Sequence, residues 1–298
     1  MKAYLKALRL PFTFGSVVPV LIGAGLAFSR GLWDLPLLGI TVLGVVCLHL
    51  GANLLNDYYD AKGSDPINVK ITPFSGGSRV IQQGEVRAVV VLVMAMAFFL
   101  LALLCAVFLV KEGRPLVLLI GGVGLFAGWS YSAPPLQLMM RGWGEVVIFL
   151  AFGPIVTLGS YYVIANELSL EAFCVGIAQG FLITAVIWIN QFPDYEADKD
   201  AGKKNLVVRL GPSKARYLYA MIMLLSYVSI VILARAFTEI YLIMISFASL
   251  PLAVRAMVVL WRHYNSYEQI VPAQALTIQV MTAHGLLVTL GLILSRWF

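Results

Sequence analysis

The chain has 298 residues, of which 60% are hydrophobic and 12% charged, with a mean hydropathy of +0.89 and a formal net charge of +6. Soluble domains average about 25% charged residues, so this composition excludes an ordinary water-soluble enzyme, a disordered chain and a nucleic-acid-binding module. What remains is an all-α polytopic membrane protein whose few charges have assigned places.

In chain order, Lys2, Lys6 and Arg9 precede a first apolar run at 11–29. A basic head, an apolar run and Gly25-Leu26-Ala27 also resemble a signal peptide. The rest of the chain is equally apolar, so the run is read as a first span. A second run at 36–56 leads into a long polar connection at about 57–87. Runs at 88–110 and 115–132 are joined by a short turn. Runs at 143–165 and 170–192 follow, then a second polar connection at about 193–213. Runs at 214–235, 238–260 and 273–295 complete nine expected spans in one domain, 1–298. Each run is matched to a hydrocarbon core of about 30 Å. Cys47, Cys105 and Cys174 lie inside apolar runs in no CxxC spacing, as small buried hydrophobes do.

The cations orient the bundle. With the N-terminus in the cytoplasm, 16 of the 21 Lys and Arg fall on the cytoplasmic side and 5 outside, as the positive-inside rule requires. The two long connections then share the cytoplasmic face.

The acids add chemistry. Six of the seven aspartates, Asp57, Asp60, Asp65, Asp194, Asp198 and Asp200, sit at the starts of the two long connections. Residues three and four apart share a helix face, so Asn53, Asp57 and Asp60 form one stripe and Asn190, Asp194 and Asp198 another. The stripes are 137 residues apart, at the ends of spans two and six. Carboxylates crowded at helix C-termini repel one another and the helix dipole, which a cation among them relieves. Oxygen ligands without His or Cys favour Mg²⁺, whose shell is completed by water and substrate phosphates. Each connection also carries cations, and Ser75-Gly76-Gly77-Ser78-Arg79 has the composition of a backbone nest for an anion. His49 and His284 read as packing histidines. Glu145, opening span five, reads as a helix cap or a partner for a basic residue.

Asn56-Asp57-xx-Asp60-xxxx-Asp65 and Asp194-xxx-Asp198 resemble the two aspartate-rich motifs of the UbiA superfamily of intramembrane aromatic prenyltransferases. Arg9-Leu-Pro11-Phe-Thr13 and Tyr131-Ser-Ala-Pro134-Pro135-Leu136 extend the resemblance over most of the chain. Gly77-Ser78-Arg79, Gly142-Trp-Gly144-Glu145 and Ala201-Gly202-Lys203-Lys204-Asn205 look closest to the 1,4-dihydroxy-2-naphthoate polyprenyltransferase branch. Asn190-Gln191-Phe192-Pro193 and Asn205 depart from that branch's pattern.

The resemblance implies a multi-pass inner-membrane enzyme with its site open to the cytoplasm. Two Mg²⁺ would bridge the Asp clusters and a polyprenyl diphosphate. The prenyl cation would be attacked by an aromatic acceptor, here dihydroxynaphthoate, giving demethylmenaquinone with loss of CO₂ and pyrophosphate. Asn53, Asp57, Asp60, Asp194 and Asp198 are the expected metal-site residues, and Asn53 and Asn190 flank the diphosphate. Arg79, Lys203 and Lys204, with Arg9, Lys70 and Arg141, are the expected diphosphate cations. Tyr131 would face the prenyl cation or orient the acceptor. Asp65 and Asp200 are expected behind these or in a lid. The same fold with 4-hydroxybenzoate, homogentisate or a glycerol phosphate as acceptor is the nearest alternative. A secondary transporter would carry its charges at mid-span, and a CDP-alcohol phosphatidyltransferase needs an Asp-Gly-x-x-Ala-Arg string that this chain lacks.

Overall fold

The structure, a computed structural model, describes residues 2–298, and among these it contains helices and no strand. The helices are α1 (Lys2–Leu8), α2 (Phe14–Ser29), α3 (Leu35–Asp60), α4 (Ala88–Lys111), α5 (Val117–Ser132), α6 (Gly144–Leu150), α7 (Val156–Ala165), α8 (Leu170–Asp200), α9 (Leu206–Leu210), α10 (Pro212–Ala236), α11 (Leu250–His263) and α12 (Val271–Leu294). A π turn at Ala151–Ile155 joins α6 to α7, and a 3₁₀ stretch at Thr238–Ser249 leads into α11.

Local chemistry starts these helices where the chain asks for it. Asp34 caps α3 by accepting from the Leu37 N–H at 2.9 Å, with Pro36 in the first turn. Ser169 caps α8 through the Ala172 N–H, and Asn205 caps α9 through the Val208 N–H at 2.8 Å. A side-chain oxygen there satisfies one of the amides that a helix start leaves unpaired.

Among the described residues, eight helical segments are long and apolar enough to cross a membrane. The stretch expected as a fourth span is shorter, 16 residues at Val117–Ser132. Pro115 and the Pro134-Pro135 pair bracket it, because the residue before a proline is pushed out of the helical region. The second polar connection is also shorter than expected. The charge of segment 193–213 predicts a loop, yet α8 runs through Pro193 to Asp200 and α9 covers Leu206–Leu210. Charge marks where a helix leaves the apolar layer, which need not be where it ends.

Side-chain burial fixes the arrangement. α8 is the most enclosed of the membrane-crossing helices, whereas α4 is the most apolar and the least covered. Val93, Leu100 and Leu104 of α4 are all more than half exposed. A stripe of that size belongs against lipid rather than water. The protein is therefore an integral membrane protein. α8 is reached closely by the π turn: a Cβ on Gly153 would lie 2.5 Å from the Gly180 Cα, so the two backbones touch only because neither residue has a side chain.

Candidate active site

α3 and α8 end at the same level of the bundle, and both carry their aspartates in the final turns. Beside those turns opens a cavity of about 410 Å³. One end is lined by Asp60, Asp65, Asp194 and Asp198 with Asn53 and Lys203. The other end reaches Ile40, Leu109, Val117 and Val163. From Asp60 to Ile40 along α3 the cavity wall spans roughly 30 Å at 1.5 Å per residue. Between these ends Gly121, Gly122, Gly124 and Gly128 of α5 keep the wall open.

The two aspartate clusters are knitted together by each other's following segment. After α8, Gly202 turns the chain at φ 75° and the Lys203 N–H returns to the Asp198 carbonyl at 2.8 Å. That glycine-permissive turn aims Lys203 back between the clusters. Its Nζ lies 3.0 Å from Asp60 and 3.1 Å from Asp198. Burial pulls the ammonium towards neutrality, but the two carboxylates prevail and hold its pKa above the ordinary lysine value. Asn205 also donates to Asp198 at 2.8 Å.

The segment 61–87 folds as a strap over the mouth. Asn68 Nδ2 donates to Asp194 Oδ1 at 2.7 Å, and the Gly76 N–H to Asp194 Oδ2 at 3.3 Å. The Ser78 N–H reaches Asp57 Oδ1 at 3.4 Å. Gly76 and Gly77 adopt φ of 83° and 72°, and a Cβ on Gly77 would come within 2.6 Å of Asp65 Oδ2. Burial, with Asp60 and Asp57 close by, lifts the Asp65 pKa to about 7 against the pull of Lys203 and Arg79. Arg9 and Arg79, at φ 49° and 66°, hold left-handed conformations unusual for a side-chain-bearing residue. Such positions persist where the surroundings fix them.

The residues singled out from sequence separate into two groups. Arg9, Asn53, Asp60, Tyr131, Asn190, Asp194, Asp198 and Lys203 line the cavity. Asp57 stands next to it, buried against Arg9 at 3.9 Å, and its Oδ2 has no partner. Four expected diphosphate cations point elsewhere. Lys70 pairs with Glu196 at 2.7 Å, and Arg79 donates to the Asp65 carbonyl. Arg141 donates to the Pro135 carbonyl at 2.7 Å, and Lys204 is exposed and outside the wall. Arg79 and Arg141 brace carbonyls close by in sequence, Lys70 ties the strap to Glu196 of α8, and the Lys204 side chain faces outward. The Ser75–Arg79 nest likewise spends two of its N–H groups on Asp194 and Asp57. Asp65 belongs to the cavity wall and Asp200 is exposed.

Sequence reasoning missed Asn68, Gln191 and the true partners of Glu145. Asn68 reaches a residue 126 positions away, a pairing no local spacing encodes. Glu145 is neither cap nor partner to a cation. It accepts from Gln191 and from the Leu206 N–H. His49 does pack, on Phe152 and Ser16, but it also lines the cavity.

The donor set fits Mg²⁺. It is all oxygen, it includes the unpartnered buried Asp57 Oδ2, and Lys203 shows that positive charge is held between the clusters. Among the described residues no three His, Cys, Asp or Glu side chains converge into a cage of their own. A cation here would take further oxygens from water and a phosphorylated ligand, as Mg²⁺ commonly does.

The UbiA prenyltransferase family model matches residues 16–294. This chain belongs to the UbiA prenyltransferase family. It is an enzyme of prenyl transfer. It is 28% identical over 298 residues to the 1,4-dihydroxy-2-naphthoate octaprenyltransferase of Bacillus subtilis, covering 99% of this chain and 94% of that one. Its fold matches the apo structure of a UbiA homolog from Aeropyrum pernix K1 at a TM-score of 0.71 and 17% identity, over 95% and 97% of the two chains. It also matches a UbiA homolog from Archaeoglobus fulgidus bound to DMAPP and Mg²⁺, at a TM-score of 0.65 and 20% identity, over 96% and 98%.

Proposed function

We propose that this UbiA-family enzyme transfers a polyprenyl group from a polyprenyl diphosphate to 1,4-dihydroxy-2-naphthoate in a Mg²⁺-dependent reaction. The observation that carries this reading is one cavity with four carboxylates at one end and a long apolar wall at the other. That polarity matches a diphosphate head on an isoprenoid tail. The naphthoate acceptor is supported by the relative in Bacillus subtilis, and the donor and cation by the Archaeoglobus fulgidus homolog.

The residues divide the work. Asp57, Asp60, Asp194 and Asp198, with Asn53 and Asn190 beside them, would hold two Mg²⁺ and the diphosphate. When bound, the Mg²⁺ supplies positive charge against the leaving diphosphate. Lys203 and Arg9 add fixed cations at the same end, where a site shielded from water strengthens them. The C–O bond of the prenyl diphosphate breaks and its electron pair leaves with pyrophosphate. The ring carbon bearing the carboxylate bonds to the allylic carbon. The carboxylate departs as CO₂, returning its electron pair to the ring, so the product is the demethylmenaquinone skeleton as its hydroquinone. Tyr131 presents an electron-rich ring beside the allylic cation, and the apolar wall keeps out the water that would quench it. Residues 1–298 act as one domain of nine spans, the short α5 included. The N-terminus is cytoplasmic and the site opens to the cytoplasm of a bacterial-type inner membrane, as the 16-to-5 distribution of cations supports.

The test is an acceptor screen on purified protein with Mg²⁺ and a polyprenyl diphosphate. Dihydroxynaphthoate should release pyrophosphate and yield the prenylated naphthoquinone by mass after air oxidation. Pyrophosphate release only with 4-hydroxybenzoate, homogentisate or a glycerol phosphate would reassign the acceptor. No release with any acceptor would overturn the reading.

A further inference from the structure

Glu145 opens α6 and is only 3% exposed. Its Oε1 accepts from Gln191 Nε2 at 3.0 Å and from the Leu206 N–H at 3.1 Å. Oε1 is the acceptor in both bonds, and of the Gln191 amide only the NH₂ can donate, so the Gln191 NH₂ is committed to it. The Gln191 carbonyl must then point the other way. That oxygen is buried and has no partner, on a residue that lines the cavity. A buried acceptor without a partner is costly and uncommon; a ligand that donates to it removes the cost.

The position of this oxygen narrows the ligand. Along the cavity side of α8, Ile183 and Ile187 give way to Gln191, then to Asp194 and Asp198. Gln191 stands three residues before Asp194 and four after Ile187, so all three share a face. It marks the level at which the apolar wall meets the aspartate end, where the allylic carbon and the acceptor ring must meet. Across that level the Tyr131 ring packs on the α6 backbone, since a Cβ on Gly144 would lie 3.0 Å from its Cε2.

We infer that Gln191 reads a ring hydroxyl of the acceptor, with Glu145 as the positioning residue that fixes its amide. This rests on the aromatic-acceptor reading above. A carbonyl oxygen accepts a hydrogen bond from O–H but repels a carboxylate and offers nothing to a quinone carbonyl. The acceptor is therefore selected in its hydroxylated, reduced form.

The experiment uses full-length protein, 1,4-dihydroxy-2-naphthoate and its two monomethyl ethers as binding probes, read by thermal shift with Mg²⁺ and diphosphate present. The parent should bind about tenfold more tightly than one of the ethers, the worth of one hydrogen bond. Gln191→Leu should shrink that gap to under about twofold and raise the acceptor KM while leaving the donor KM unchanged. Glu145→Gln keeps an oxygen for the Leu206 N–H but frees the Gln191 amide to turn, so it should narrow the gap as well. Wild-type protein that does not discriminate either ether overturns the inference. So does a gap that survives Gln191→Leu, or a donor KM that rises in parallel. A Glu145→Gln protein with the wild-type gap removes Glu145 as the positioning residue. Binding is read separately from turnover, so failure of the transfer reaction would be seen as absent pyrophosphate with the ether gap intact.

Discussion

The two aspartate-bearing helix ends share an Asn–Asp–Asp stripe and differ in their surroundings. The end of α3 is followed by a strap of 27 residues, 61–87, and the end of α8 by a turn of five, 201–205. Each following segment reaches the other cluster as well as its own. The strap delivers neutral donors, Asn68 and the Gly76 N–H, to Asp194. The turn delivers a full positive charge, Lys203, to Asp60 and Asp198. A short turn can hold a buried cation in place because few of its torsions are free. A long strap can supply backbone amides over a wide arc but fixes each of them less firmly. Repetition in sequence has thus produced a clamp with one stiff arm and one adaptable arm.

The largest expected effect comes from removing the carboxylate that either arm holds. Asp60→Asn and Asp194→Asn should each lower kcat/KM by about 10³-fold while the protein is still expressed and extracted in normal yield. Turnover within tenfold of wild type would remove that residue from the site.

Lys203→Met tests the stiff arm. Removing one partner of a buried ion pair leaves the carboxylates uncompensated, at a cost of about 3–5 kcal/mol. The metal-free protein should lose several degrees in Tm, and Mg²⁺ with pyrophosphate should recover much of the loss. An unchanged Tm would mean that Asp60 and Asp198 do not need that charge.

Asn68→Ala tests the adaptable arm. Losing one hydrogen bond to a charged carboxylate is worth about 1.5–3 kcal/mol. The KM for the prenyl diphosphate should rise by roughly tenfold or more on that scale, with little change in Tm. A larger effect on Tm than on KM would make the strap a structural brace.

Asp65, near the start of the strap, gives a pH signature. Its pKa is about 7 when folded against an ordinary 3.8, so the folded state binds a proton that the unfolded chain has released. The metal-free protein should lose stability as pH rises from about 4 to about 7 and level off above that. Asp65→Asn should remove that slope, leaving a variant whose advantage in Tm over wild type grows across the same window. The smallest effect belongs to Lys70→Ala. The Lys70–Glu196 pair is exposed, with Glu196 at 65%, so less than about 1 kcal/mol is at stake and both Tm and kcat should stay near wild type.

Eight of the nine expected spans were legible as membrane-crossing helices because apolar runs act over whole segments, the short α5 being the exception. The aspartate clusters were legible because spacing of three and four residues is a local property of a helix. What sequence did not reveal is non-local. Asn68 meets Asp194 across 126 residues, and Gln191 meets Glu145 across 46. Lys70, Arg79, Arg141 and Lys204 carry the right charge near the right acids, but Lys70 meets Glu196 across 126 residues, Arg79 and Arg141 meet backbone carbonyls, and Lys204 faces outward, none of which charge alone encodes. Polarity at 193–213 suggests a loop, but Glu196, Lys199 and their neighbours are equally compatible with a helix end in water.

The cavity has carboxylates at one end and an apolar wall at the other, the order in which an amphipathic lipid carries its head and its tail. A lipid donor drawn from the bilayer would arrive with its own long axis already set by its solvent. Encounter becomes a search across a sheet instead of through a volume. Rates should accordingly follow the mole fraction of donor within the lipid, falling when inert phospholipid is added at constant total donor and holding when only the bulk volume is increased.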